Sequence, residues 1–229
     1  MMLSEYEWQA VFLSLKVSSL SVVCSLPLGI LMAWILVRCR FPGKSLLDSI
    51  IHLPLVLPPV VIGYLLLVVM GRRGVVGEWL YEWFGFSFSF SWHGAVLASA
   101  VVAFPLMVRA IRQSLEAVDP KLELAARTLG ASPWRVFFTI TLPLSVPGVI
   151  VGVVLAFARS LGEFGATITF VSNIPGETRT IPLAMYTLIE TPGAEGAAAR
   201  LCVLAILLSL AALLISDWLA KRSRTRLGG

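Results

Sequence analysis

Uncharged, mostly apolar runs as long as a bilayer is thick recur along the chain, separated by short polar connections. Residues 17–37 hold 21 positions without a charge, and a helix needs about 20 to cross the hydrocarbon core. A first crossing is expected there, preceded by Lys16, whose long stem reaches back to an interface, and by Trp8 as an interfacial ring. Residues 49–71 give 23 more. Pro54, Pro58 and Pro59 deny the first half of that run a complete backbone hydrogen-bond ladder, so a kinked or partly unwound span is expected. The break leaves two roles open: a packing kink, or the border of a transport pathway. Residues 72–82 read as a polar connection, and 84–92 as an aromatic interface belt leading into a third span at 93–108, with Pro105 bending its far part. Residues 136–158 supply a fourth run of 23, with Pro143 and Pro147 in its first third, and 201–216, extended back by 196–199, a fifth. Between those two, 164–171 and 181–189 are each too short to cross. Split by the turn Asn173-Ile174-Pro175-Gly176, they are expected to form a re-entrant or surface-lying pair.

The connection between the third and fourth runs is the most patterned polar stretch. In KLELAARTLGASPWRVFFTITLP, residues 121–143, Leu122, Ala125, Ala126 and Leu129 fall at i, i+3, i+4 and i+7, one face of a helix. Asp119 and Pro120 fit its N-cap and first position, Gly130 its stop, and the helix should hold about ten residues or ~15 Å. Ser132 and Pro133 repeat the start signal. A helix, a glycine turn with positive φ at Gly130, and a second helix are therefore expected between two membrane spans. Two alanines and two leucines offer lipid little apolar area, while small side chains suit close docking into a protein groove.

Composition fixes the class. Of 229 residues 58% are hydrophobic and 14% charged, with a mean hydropathy of +0.89, against about 25% charged for a soluble domain. The expectation is an all-α integral membrane protein of about five transmembrane helices. It forms one domain over 1–229, with the loop 119–143 inside it. The net charge of +5 comes from basic residues at the ends of apolar runs, where it orients the chain in a bilayer rather than binding nucleic acid. Cys24, Cys39 and Cys202 are odd in number and share no CxxC spacing, so they read as packing residues. Glu5 and Glu7 stand where a cleaved signal peptide would be basic, and the first run is expected to be kept as a span.

On these residues the chain resembles a known family. The spacing Ala125-Ala126, Gly130, Ile140-x-Leu142-Pro143 is similar to the EAA loop of permease subunits in binding-protein-dependent ABC importers. The family's glutamate position falls on Leu124, with Glu123 one place earlier. Phe41-Pro42-Gly43-Lys44, the run from Leu53 to Pro59, Ala126 to Ala131, and Ser160 to Ala166 resemble the molybdate permeases of that group. The resemblance implies the type I ABC importer permease fold, with a coupling loop docking into a cytoplasmic ATPase through Glu123, Leu124, Ala125, Ala126, Leu129, Gly130, Leu142 and Pro143. It implies a homodimer of permease chains, two ATPase subunits carrying ATP and Mg, and a periplasmic molybdate-binding protein. The cargo it implies is molybdate, with sulfate or thiosulfate as the alternative oxyanions.

With that loop cytoplasmic, Arg38, Arg40, Lys44, Arg109, Arg112, Lys121, Arg127, Arg135, Lys221, Arg222, Arg224 and Arg226 are inside, twelve of 18 basic residues. The N-terminus is then outside the inner membrane and the C-terminus cytoplasmic. A sixth crossing within 164–189 would strand the basic tail outside.

No enzyme assembles itself from the chain. Gly43-Lys44-Ser45 looks like the end of a phosphate-binding loop, but Arg38 stands where its first glycine belongs, so ATP belongs to another chain and no cofactor is expected in this one. His52 and His93 lie in different spans without a ligand pair, and no metal site is expected. Arg159 and Glu163 stand at i, i+4, either a structural ion pair or the border of a gate. Pro58, Pro59, Gly162, Glu163 and Gly165 are the candidate pathway residues. A self-contained channel or ion-coupled carrier is the competing class, disfavoured by the few ionisable groups in the spans.

Overall fold

A computed structural model describes residues 4–227. Every regular element among them is helical: α1 Glu5–Arg38, α2 Lys44–Val56, α3 Pro59–Met70, α4 Val75–Phe84, α5 Trp92–Glu116, α6 Pro120–Thr128, α7 Pro133–Val136, a five-residue π-helical segment Phe137–Thr141, α8 Leu142–Leu161, α9 Gly165–Val171, α10 Ile181–Ile189 and α11 Glu195–Leu227. α1, α5, the run from α7 through α8, and α11 are each long and apolar enough to cross a membrane. α2 and α3 meet at a bend of 115° and count as a fifth crossing taken in two legs.

Side-chain contacts set the course of the chain. Lys16 Nζ lies 3.4 Å from the Trp92 ring centroid, and a methyl on Gly29 would sit 2.9 Å from Met107 Sδ. α1 and α5 therefore run side by side in the same direction. The segment between them must carry the chain back across, which is what the broken pair does. α8 runs the opposite way along α5, with Gly148 against Ser114 and Gly152 against the Met107 carbonyl. α6 thus marks one end of the bundle, the loop end. The starts of α1, α5 and α11 mark the far end, about 37 Å away along the 25 residues of α5.

Three apolar clusters follow this order. Leu36, Met107, Ile111 and Leu115 lie in the first, toward the loop end. Val17, Ile62, Ala95, Ala98 and Phe170 form the second, and Ala10, Ile181, Ala184 and Leu201 the third at the far end. There the fully buried Glu7 accepts the Ser4 N–H at 2.7 Å, completing a capping box, and Arg200 Nε at 2.9 Å. The first and last crossings are tied by that ion pair.

Several boundaries differ from expectation. α1 begins at Glu5, not near residue 17, because the Ser4–Glu7 capping box starts the helix early and Lys16 is accommodated on Trp92. The connection 72–82 holds a helix, α4, in which Trp79 packs on Trp83 and Phe84. The second helix of the loop does not stand alone but continues through the π-helical segment into α8. Of the two readings of 164–171 and 181–189, the surface-lying one does not hold: Phe170, Val171, Leu183 and Ala184 are completely buried, and the pair is packed inside the bundle without crossing it. Neither crosses, so the chain makes five passages and α11 runs from the far end toward the loop end. The side chains of Lys221, Arg224 and Arg226, counted in the basic set, lie outside the described residues.

Candidate functional site

Local chemistry explains each turn of the loop. The Asp119 carboxylate accepts the Lys121 N–H at 2.9 Å and Pro120 occupies the first helical position, where no amide donor is needed. α6 closes in a paired cap: Ala131 N–H donates to the Ala126 carbonyl and Gly130 N–H to that of Arg127, both at 3.0 Å. Gly130 has φ +85°, the left-handed geometry that such a cap requires. Ser132 then accepts the Arg135 N–H at 3.3 Å and Pro133 starts the next helix.

No residue of α6 is buried. A nine-residue helix does not hold itself together in water, and this one rests on the bundle by a single polar anchor. Glu123 Oε1 accepts Arg38 Nη2 at 2.7 Å, from the last residue of α1, and Thr141 Oγ1 at 2.8 Å, from the last residue of the π-helical segment. The outward side presents Leu124 (62% exposed), Leu129 (88%), Trp134 (70%) and Phe138 (59%). Ala125 is exposed and Ala126 partly covered, while Leu142 and Pro143 are half-buried at the start of α8. Glu123 therefore faces its own chain, and Leu124 faces outward. Sequence reasoning missed Arg38 and Thr141 as its partners, because 85 and 18 residues separate them from Glu123.

The second constellation lies where α3 meets α9. Leu57 and Pro58 each precede a proline, which drives a residue out of the helical region. Both are extended, with ψ 141° and 134°, so two successive residues leave the helix and the ladder stops. Pro59 then starts α3 against α9. A methyl on Gly165 would stand 2.9 Å from Pro59 Cβ, and one on Gly63 2.6 Å from the Ala166 carbonyl oxygen. Glycines let the two backbones touch, as small residues do between membrane helices. Glu163, 2% exposed, accepts Arg159 Nη1 at 2.6 Å and the Ala166 N–H at 2.7 Å, so its carboxylate is fully partnered where α9 begins. Pro59, Glu163 and Gly165 are thus brought together, with Gly162 capping α8 beside them and Pro58 exposed at the break.

The histidines lie apart. His52 Nδ1 is 3.1 Å from Asp48 Oδ1, which also takes Arg112 Nη1 at 3.1 Å, and His93 stacks on Trp92 with ring centroids 3.6 Å apart.

The profile of the family described as "Binding-protein-dependent transport system inner membrane component" matches residues 25–225. Over 228 residues, 100% of both chains, the sequence is 75% identical to the molybdenum transport system permease protein ModB of Escherichia coli. It is 70% identical to that of Haemophilus influenzae over 222 residues, 97% of both chains. To the sulfate transport system permease protein CysT of Escherichia coli it is 39% identical over 183 residues, covering 79% of this chain and 66% of that one. Among solved structures, a bacterial alginate ABC transporter in complex with its alginate-bound periplasmic protein superposes with a TM-score of 0.75 at 21% identity, covering 96% of this chain and 80% of that chain. An inward-facing MetNI methionine ABC transporter gives 0.68 at 15% identity, covering 95% and 94%.

Proposed function

Because the chain belongs to the binding-protein-dependent transport system inner membrane components, a multi-pass inner-membrane family, we propose that it is the membrane-spanning permease of an ATP-driven molybdate importer. The observation that carries the cargo is full-length identity of 75% to a molybdenum transport permease, set against 39% over a shorter stretch to a sulfate permease. The chain is a transport subunit and not itself an enzyme. Hydrolysis belongs to two cytoplasmic ATPase chains, and recognition of the anion to a periplasmic binding protein. Two copies of this chain enclose the path, since five helices are few to surround one.

What supports the coupling role is α6. It exposes Leu124 and Leu129, has no buried residue and, among the described residues, is tied to the bundle's polar groups through Glu123, which suits a helix completed by a groove on another protein. Closure of the ATPase pair would move α6. Glu123 would pass that displacement to the end of α1 through Arg38 and to the start of α8 through Thr141. α8 leads through Gly162 and Glu163 to α9, whose contact with Pro59 and α3 forms the gate. On this reading the loop end is cytoplasmic, the N-terminus is outside and the C-terminus inside.

The test is reconstitution of this chain with its ATPase in vesicles, the binding protein supplied outside. Labelled molybdate should enter only with ATP and binding protein present, and excess sulfate should compete poorly. Uptake by the chain alone would show a carrier instead. Labelling of Ala125→Cys from the outer side of intact cells would overturn the orientation.

A further inference from the structure

A cavity of about 710 Å³ opens at the far end of the bundle, beyond the outer end of α3, and its polar lining is Arg72, Arg73, Tyr81, Ser87 and Ser89. The two arginines are the central residues of a tight turn, closed by Gly74 N–H donating to the Gly71 carbonyl at 2.7 Å. The turn is drawn in against α3: a methyl on Gly74 would stand 2.3 Å from the Val68 carbonyl oxygen. Both arginines are exposed there.

Neither is neutralised. Arg72 donates from Nη2 to Tyr81 Oη at 2.6 Å and lies over the Tyr81 ring with Cζ 4.1 Å from its centroid. This fixes the guanidinium and leaves its charge unmatched. Arg73 has no hydrogen-bond or ion-pair partner among the described residues. No carboxylate lines the cavity, and Glu78 and Glu82 of the neighbouring α4 pair with neither arginine. In the same lining the Ser87 and Ser89 hydroxyls hydrogen-bond to each other at 3.0 Å, and Phe90 is held at φ +58°. That φ is unusual for an aromatic residue, and such outliers gather at ligand sites.

Two planar guanidinium groups without a carboxylate partner, with the hydrogen-bonded Ser87–Ser89 hydroxyl pair in the same lining, suit a doubly charged tetrahedral oxyanion, which arginine engages through paired N–H donors. We propose that this cavity is a transit site for the oxyanion, where the cargo rests between its release at the far end and its passage along α3 to the gate. The inference rests on the importer reading. Exposure of both arginines makes the site weak, as a path that must also let its cargo leave requires, and its positive field concentrates anions at the mouth. α3 joins this cavity at one end to the Pro59–Gly165 contact at the other.

The test uses the permease–ATPase complex in phosphatidylcholine vesicles with molybdate-loaded binding protein outside. Replacing both residues, Arg72→Gln with Arg73→Gln, should lower uptake per ATP hydrolysed about tenfold, the scale of a lost charge-assisted hydrogen bond. The half-saturating concentration of binding protein should not change, and Arg73→Lys should retain most of the uptake. A raised half-saturating concentration with full uptake at saturation would mean that the arginines grip the binding protein, and the proposal falls. It falls too if uptake is unaffected, or if the loss appears only when anionic lipid is added, since the arginines would then hold lipid phosphate. A second measurement does not depend on transport: millimolar molybdate, but not chloride at equal ionic strength, should protect Arg73 of the resting complex from phenylglyoxal. If wild-type vesicles take up no molybdate while Arg73 is protected, the importer reading fails and the anion site stands. Absence of protection overturns the site alone.

Discussion

Glu123→Ala tests the transmission step most directly. The substitution removes the acceptor for Arg38 Nη2 at 2.7 Å and for Thr141 Oγ1 at 2.8 Å. The side chains of Arg38 and Glu123 are 20% and 12% exposed, so water screens the pair only in part. Each hydrogen bond to a charged group is worth about 1.5–3 kcal/mol when buried. Discounting for partial exposure and for water that replaces the carboxylate gives a loss of roughly 2–3 kcal/mol for the anchor. Nothing else compensates, because no residue of α6 is buried and nine residues are too few to stay helical alone. Amides of α6 in the permease without its ATPase should then exchange hydrogen roughly 30–150-fold faster, the factor corresponding to that energy. Uptake per ATP should fall while the distant Ala95 and Ala98 amides keep their protection. A double-mutant cycle with Arg38→Ala should show coupling of about 1–2 kcal/mol. If α6 keeps its native protection in Glu123→Ala, or if the two substitutions are additive, the anchor is not what holds the helix and the transmission route through α1 is refuted.

Three further outcomes follow from geometry already given. Gly130→Val forces a β-branched residue to φ +85°, costing at least about 1–2 kcal/mol locally. ATP hydrolysis should persist while uptake per ATP drops, and a native ratio would rule out a role for this turn. Gly165→Val places its added carbons within the 2.9 Å that separates a first methyl from Pro59 Cβ; overpacking of about 1–3 kcal/mol should part α3 from α9. Uptake should be lost although the ATPase still co-purifies, and normal uptake would remove this contact from the gate. Glu7→Gln leaves Arg200 without its carboxylate, and an uncompensated charge of this kind costs about 3–5 kcal/mol when buried, less here because Arg200 is 37% exposed. The thermal midpoint of the detergent-solubilised protein should fall with little change in uptake per folded molecule. An unchanged midpoint would show the far-end tie to be dispensable.

What could be read from sequence was whatever is decided within a few residues. Asp119, Pro120, Gly130, Ser132 and Pro133 announce the loop's starts and stop because capping and proline geometry are local, and each sits where expected. The proline cluster announced a disturbed crossing. Its size, 115°, needed the further step that Leu57 and Pro58 are both forced to be extended. α4 is obscured by the charges before and within it: Arg72, Arg73, Glu78 and Glu82 make 72–82 look like a connection, although Trp79 and Trp83 keep helical spacing. Glu123–Arg38, Glu7–Arg200 and Pro59–Gly165 join residues far apart in the chain, and no periodicity within one segment reports such a meeting. Pro59 and Gly165 stand out in the sequence by residue type, but nothing there reports that they touch each other.

Glu7 and Arg200 are separated by 193 residues of chain. At ribosomal speeds the carboxylate emerges about 10–40 s before its cation is made. Until then the Glu7 carboxylate has only the Ser4 N–H and hydroxyl of its own capping box as donors and lacks the guanidinium of the last helix. Arrival of the last helix neutralises it and seals the newborn protein. A chain that stalls earlier leaves that carboxylate without its cation and its first and last crossings untied.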